Sequence, residues 1–415
     1  MDSIQSLLKN SAKASVSLRK LSDEKKKLVL ELLAKRLLEN VSEIVAENKK
    51  DLDQMSDTDP KKDRLMLNPQ RIQDLADSVI DISRLEDPTN KILSDKVNKN
   101  GLSIQKISVP LGVVGVIYES RPNVTIDVAA LCIRSGNVCV LRGGTDAFFS
   151  NTILVSLIRD VLKEFDLDSN IVTLFPADRK YIAEMLSAVK YIDIIIPRGS
   201  DQLIKYIREN SLVPVIETGA GVCHTYVEKT ADLKKAADII TNAKVTRPSV
   251  CNALDTVLTD RSVAEPLLKL LAPLLKAYDV EIYADAVSYD ILKSLNYSSL
   301  VRAKPEDFGR EFLDFKCSIK VVENIDEALA HISEFSSKHS EAIISQDQAL
   351  CDRFLTEVDA AAVFTNASTR FTDGGVFGLG AEIGISTQKL HARGPFALEK
   401  LVTEKWLVRG NGQVR

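Results

Sequence analysis

Up to about residue 90 the apolar positions recur at helical spacing. Ser22 followed by Asp23 and Glu24 makes an N-cap with an acidic first turn, and Leu28, Leu32, Leu33, Leu37 and Leu38 then repeat at i, i+4 intervals. A charged, amphipathic helical layer therefore opens the chain. Between 91 and 109 the period changes to two: KILSDKVNK and LSIQKISV alternate on either side of Asn100-Gly101, which predicts a two-residue hairpin. A hairpin this polar, lying between a helical layer and an apolar strand, is expected to protrude.

After Pro110 the pattern becomes short, nearly continuous apolar runs separated by helical segments. The first series is GVVGVIY (112–118), NVCVLRG (137–143), IVTLF (171–175), IDIIIP (192–197) and PVIE (214–217). The second is ALDTVLT (253–259), VEIYA (280–284), SIKVV (318–322), EAIIS (341–345) and AAVFT (361–365). Continuous hydrophobicity marks strands covered on both faces, so the fold class is α/β, with two doubly wound parallel sheets in tandem. The tail is glycine-rich from 371 to 394, then reads as helical through Leu401 and ends in a strand-like KWLVRG.

Composition narrows the possible functions. The 415 residues are 45% hydrophobic and 27% charged, ordinary globular usage with room for two or three domains. Lys plus Arg is 54 against 58 Asp plus Glu, a net charge of −4, so no global positive field draws the protein onto nucleic acid. The longest weakly charged apolar stretch, 107–118, is broken by Pro110, Gly112 and Gly115 and is too short for a membrane span. The first twenty residues show no secretion signal, and the 6 cysteines have no paired spacing, which together predict a cytoplasmic protein without disulfides. With 4 histidines and no HExxH, no metal site is expected.

Candidate chemistry concentrates at one thiol. Cys132, Cys139, Cys317 and Cys351 lie in apolar helices and strands and read as small core residues. Cys223 adjoins His224, but neighbours on a strand face opposite ways and cannot pair. Cys251 lies in KVTRPSVCNA, a proline-containing loop where a helix ends and the second sheet begins, with Lys244 and Arg247 near enough in sequence to favour its thiolate. No P-loop is present, and no G-x-G-x-x-G follows the first strand. Arg142-Gly143-Gly144-Thr145 and Gly199-Ser200 do follow strands and open helices, where backbone N–H groups could meet an anion.

The runs YESRPNVTIDVAALCIRSGNVCVLRGG, NAKVTRPSVCNALDTVL, AAVFTNASTRFTDGG and FGLGAEIGISTQKLHARGP, in order over nearly the whole chain, resemble the γ-glutamyl phosphate reductases, a branch of the aldehyde dehydrogenase superfamily. The resemblance implies a Rossmann-like cofactor domain (1–90 and 110–225), a catalytic domain (226–385), and an oligomerisation element of hairpin and C-terminal segment (91–109 and 386–415). It also accounts for the missing glycine fingerprint, which this superfamily does without. It implies NADPH-dependent reduction of L-glutamyl 5-phosphate to the semialdehyde in proline biosynthesis, a homo-oligomer, and possible contact with a glutamate 5-kinase.

Carried over residue by residue, the resemblance makes Cys251 the nucleophile, Asn123 the oxyanion donor and Glu217 the counterpart of the hydrolytic relatives' base. Arg142 would read the 2′-phosphate of NADPH, with Gly143, Gly199, Ser200 and Gly219 packing on the cofactor and Glu311 holding the nicotinamide ribose. Arg247, Asn366, Ser368, Thr369 and Arg370 form the candidate cluster for the amino-acid end of the substrate. Ala397 and the Leu254-Asp255 pair depart from the family pattern without removing a reacting group. Two other readings stay open: a hydrolytic or CoA-acylating relative, supported by Glu217, and a silent scaffold acting through the hairpin.

Overall fold

The structure, a computed structural model, describes residues 4–56, 59 and 62–415. The chain divides into two compact units. The first runs to Thr218 and takes in Gly378–Gly384 and Phe396–Arg415; the second comprises Gly219–Phe377 and Ile385–Pro395.

In the first unit a helical layer precedes the sheet. Ser22 caps the helix Asp23–Glu39 by accepting from the Lys25 N–H, as its sequence predicts, but the buried stripe is Val29, Leu30, Leu33, Ala34 and Leu37, and Leu28 and Leu38 are exposed. The sheet has four parallel strands in the order Val172–Leu174, Val138–Arg142, Val113–Tyr118, Ile194–Arg198. The chain starts at Val113–Tyr118, moves outward on one side, then crosses to Ile194–Arg198 on the other. The carboxyl ends of those two strands therefore border a topological switch point, where open α/β sheets bind ligands. PVIE adds only a bridge between Ile195 and Val215, because Pro214 has no N–H to give a ladder.

A separate antiparallel sheet joins Ile92–Val97, Ser103–Pro110 and Val402–Arg409. Its hairpin differs from the expected two-residue turn. Asn98 and Leu102 still pair, with the Asn98 N–H donating to the Leu102 carbonyl, so the loop is 99–101 with Gly101 at φ +83°. That is the three-residue hairpin with glycine in the left-handed position. The expected helix through Leu401 is instead one 3-10 turn, Leu398–Lys400, and the chain after it is committed to the strand Val402–Arg409.

The second unit holds seven parallel strands in the order Leu300–Arg302, Glu281–Ala284, Lys316–Val322, Leu254–Asp260, Cys223–Val227, Ser340–Ile344, Ala362–Thr365. The strand at Cys223 belongs here, so the division falls after Thr218 and not after 225 as expected, and the hairpin and the segment from 396 cluster with the first unit. Leu254, a departure from the family pattern, is fully buried in the core under the helices Leu233–Val245 and Arg261–Lys276. Among the described residues no helix is long and apolar enough to cross a membrane.

Candidate active site

In the second unit the chain reaches Cys251 by a turn between the helix Leu233–Val245 and the strand Leu254–Asp260. Cys251 is partly exposed, whereas the other five cysteines are buried. Ligands of open α/β sheets commonly sit at the carboxyl ends of strands. Here the Cys251 turn lies at the amino edge, alongside the residues that lead into Cys223–Val227, Lys316–Val322 and Ser340–Ile344.

That edge is tightly fitted. A Cβ on Gly221 would lie 1.6 Å from the Cys251 carbonyl oxygen, so only glycine permits the approach. The Gly221 N–H donates to Glu311 Oε1 at 2.8 Å, which ties this strand lead-in to the segment before Lys316–Val322. Behind the turn, Cys223 Sγ donates to the Cys251 carbonyl at 3.3 Å. Burial pushes the Cys223 thiol well above its ordinary range, so it stays a neutral donor. His339, 3.9 Å from that sulfur, is held down to about 4 by burial and is also neutral. His224 turns to the other face and contacts Glu341 at 3.0 Å, so Cys223 and His224 do not form a catalytic pair.

Lys244 does not serve the thiol. It is fully buried and donates to the carbonyls of Asp314 (3.1 Å) and Lys316 (2.7 Å), with the Asp255 carboxylate 3.8 Å away. Asp255 itself accepts the Phe312 N–H at 3.0 Å, and burial, opposed by Lys244, holds its carboxyl up at about 7.

Arg247 is exposed on the segment leading into the turn, and its charge bears on Arg370. Burial first, then Arg247, lowers the proton affinity of Arg370, while Cys251 acts in the opposite sense. Arg370 Nη1 donates to Asn252 Oδ1, and its buried Nε has no partner among the described residues. Ser368 caps the 3-10 turn Thr369–Phe371, and Thr369 Oγ1 donates to the Asn252 carbonyl at 2.8 Å, so both hold Arg370 in place. Asn366 is set apart. It exchanges hydrogen bonds with the Ser345 backbone at the carboxyl edge of the sheet, away from Cys251, and drops out of the substrate cluster.

In the first unit, Asn123 opens the helix Asn123–Arg134 just beyond Val113–Tyr118. Its Nδ2 donates to Asp127 Oδ2 at 3.1 Å, one turn on, which orients the amide and leaves its second N–H available. Burial raises the Asp127 carboxyl to about 6, against the opposing effects of Asn123 and Arg198.

Arg142 ends its strand almost fully buried. Its Nη2 donates to the Ala177 carbonyl, and its Nε, also buried, has no partner among the described residues. Across the switch point, Gly199 and Ser200 precede the helix Asp201–Asn210, and the Ser200 N–H donates to a Glu119 carboxylate oxygen at 3.0 Å. A carboxylate thus occupies a position suited to an anion at a helix N-terminus. An underused buried guanidinium and an anion-accepting turn fit a phosphorylated dinucleotide. Gly143 packs against Asn151, and Gly219, the first residue of the second unit, against Thr387. Glu217, largely buried, pairs with Arg208 at 3.3 Å, which opposes service as a free base.

Sequence reasoning missed Gly221, Asn252 and Cys223 as parts of the site. Only the adjacency of Asn252 to Cys251 offered a signal.

A profile of the aldehyde dehydrogenase family matches residues 2–288. A γ-glutamyl phosphate reductase of Legionella pneumophila (strain Lens) is 51% identical over 413 residues, 99% of each chain. The crystal structure of γ-glutamyl phosphate reductase from Thermotoga maritima, 40% identical, matches with a TM-score of 0.94 over 100% of both chains. An acetylating aldehyde dehydrogenase from Geobacillus thermoglucosidasius, 16% identical, matches with a TM-score of 0.71 over 99% of this chain and 97% of its own, and so shares the fold.

Proposed function

The chain belongs to the aldehyde dehydrogenase family, and from that premise we propose that it reduces L-glutamyl 5-phosphate to L-glutamate 5-semialdehyde, releasing phosphate, as the second step of proline biosynthesis in the cytoplasm. The observation that carries this is the Cys251 turn: a partly exposed cysteine on a braced loop, with the Arg370 guanidinium in its electrostatic neighbourhood and Arg247 acting in turn on Arg370. Arg247 and Arg370 suit a substrate that brings a phosphate at one end and a carboxylate at the other.

The Cys251 thiolate attacks the acyl carbon, the carbon–oxygen bond to phosphate breaks, and phosphate leaves with the electron pair. A thioester remains on Sγ. Asn123 and the Cys251 N–H are the proposed donors to the developing oxyanion, each such donor being worth about 3–4 kcal/mol in comparable sites. A reduced nicotinamide dinucleotide, when bound, supplies the hydride to the acyl carbon. Collapse of the thiohemiacetal then expels the Cys251 thiolate and frees the aldehyde. The reductive direction requires no hydrolytic base, in keeping with the Glu217–Arg208 pair.

Arg142 is the proposed reader of a 2′-phosphate, and hence of NADPH in preference to NADH. Gly143, Gly199, Ser200 and Gly219 would pack on the cofactor, and Glu311 is the proposed partner of its ribose. The three-stranded sheet exposes Ile92, Leu93, Val97, Trp406 and Val408, which supports its use between copies in a homo-oligomer.

The test is phosphate-dependent reduction of NADP⁺ with glutamate semialdehyde. Cys251→Ser should abolish it while the thermal melt is kept; retained turnover would sink the mechanism. A hydrolytic enzyme would be indifferent to phosphate.

A further inference from the structure

We propose that Asn252 is a positioning residue that fixes the Arg370 guanidinium at a set reach from the nucleophile, making the site a ruler for the carboxylate at the far end of the substrate. The inference rests on the reading above, in which a carboxylated acyl phosphate is the substrate. Asn252 follows Cys251 directly and is only 5% exposed. Its Oδ1 accepts from Arg370 Nη1. Its Nδ2 donates to the Thr372 carbonyl at 2.9 Å and, less closely, to the Arg370 carbonyl at 3.4 Å. Its own carbonyl accepts from Thr369 Oγ1 at 2.8 Å. One residue thus ties the whole 369–372 segment to the nucleophile turn, although the two lie 118 positions apart in sequence.

The residue type matters as much as the contacts. A buried arginine could be held as firmly by aspartate, but the carboxylate would neutralise it. A neutral amide oxygen orients the guanidinium and leaves its charge for a ligand. Arg370 keeps the capacity to bind one, because the residue stays partly exposed while its Nη1 is the end that Asn252 anchors. With its Nη1 end anchored beside Cys251, the distance from Sγ to the remaining donors is set by the protein. A substrate carboxylate reaches them only when the correct number of methylenes separates it from the acyl carbon. A loosely held arginine would follow ligands of several lengths.

The experiment compares oxidation of 5-oxopentanoate, 4-oxobutanoate and pentanal with NADP⁺ and phosphate, reading kcat/KM for each aldehyde on one preparation so that the ratios do not depend on the amount of active protein. Pentanal matches 5-oxopentanoate in length and lacks only the carboxylate. Wild type should prefer 5-oxopentanoate to both. In Asn252→Asp the 5-oxopentanoate to pentanal ratio should fall about tenfold or more, the scale of one charge-assisted hydrogen bond. Asn252→Ala should instead narrow the gap between 5-oxopentanoate and 4-oxobutanoate. If either variant yields too little folded protein, Thr369→Val, which releases the Asn252 carbonyl, is read the same way, and an unchanged length preference there overturns the proposal. Wild type that does not distinguish 5-oxopentanoate from pentanal would refute the assignment of Arg370 itself. Discrimination that disappears in Arg370→Ala but survives in Asn252→Asp would refute the role of Asn252 alone.

Discussion

Replacing Gly221 by alanine should disable the enzyme through sterics alone. Gly221 does not occupy the left-handed region, so its backbone would accept an L side chain, and the substitution isolates the added methyl group. That carbon would fall 1.6 Å from the Cys251 carbonyl oxygen, 2.4 Å from its carbon and 2.7 Å from its Cα. Restoring van der Waals separation requires the turn to retreat by roughly 2 Å. Neither partner can yield cheaply: Glu311 holds the Gly221 N–H at 2.8 Å, and Cys223 Sγ backs the Cys251 carbonyl at 3.3 Å. Displacement of a reacting group by about 1 Å can cost 10²-fold in rate, so kcat should fall by about two orders of magnitude or more. Overpacking of this kind also costs typically about 1–3 kcal/mol of stability. The assay is phosphate-dependent NADP⁺ reduction with glutamate semialdehyde, with a thermal melt to confirm folding. Turnover close to wild type in Gly221→Ala would refute the claim that this contact sets the nucleophile.

Two further substitutions test the first unit. Arg142→Ala should weaken NADPH binding, followed by fluorescence quenching, by about tenfold or more while NADH changes little, as for loss of one charge-assisted contact; equal losses would mean that Arg142 does not read the 2′-phosphate. Asp127, raised to about 6, should take a proton as the pH falls through that value, weakening the acceptor that orients Asn123 Nδ2 and lowering kcat. Asp127→Asn should remove that acidic limb. Because the folded carboxyl holds its proton more tightly than the unfolded one, its stabilising contribution is complete below about pH 4 and fades as the pH rises through 6, a slope that denaturant melts of the Asn variant should lack.

What the sequence disclosed was local. Strands covered on both faces announce themselves as continuous apolar runs, and an N-cap such as Ser22 with an acidic first turn is written within four residues. Cys251 stood out because its loop breaks an otherwise regular alternation. The misreadings also have local causes. Asn100-Gly101 signals a turn but not whether two or three residues make it, and the segment before KWLVRG has helical composition with too few residues before the strand begins. What stayed hidden joins distant positions. Glu311 reaches Gly221 across 90 residues and Arg370 reaches Asn252 across 118, and no periodicity or motif links them. Asn366, close to Arg370 in sequence, was misplaced for the converse reason: the chain between them turns back from the carboxyl edge of the sheet to the Cys251 turn.

The six thiols convert this geometry into one measurable contrast. Alkylation by iodoacetamide proceeds through the thiolate and requires access, so both exposure and proton affinity select the reactive cysteine. Burial pushes Cys317 up to about 12 and Cys223 well above the ordinary range, and Cys132 is raised by its contact with Cys139 and by burial. Cys139 and Cys351 are buried as well, and Cys351 is also raised, mainly by burial. Cys251 alone combines partial exposure with a position on a loop. One equivalent of reagent should therefore react rapidly per native chain, with the remainder reacting only on unfolding, and Cys251→Ser should remove the fast phase. Arg142→Ala, acting within the other unit on dinucleotide affinity, should leave that phase unchanged, whereas Gly221→Ala, which displaces the turn, should alter its rate. Two fast thiols in the native wild type would show that burial does not silence the rest. A fast phase surviving in Cys251→Ser would assign the accessible nucleophile elsewhere, whatever the fold.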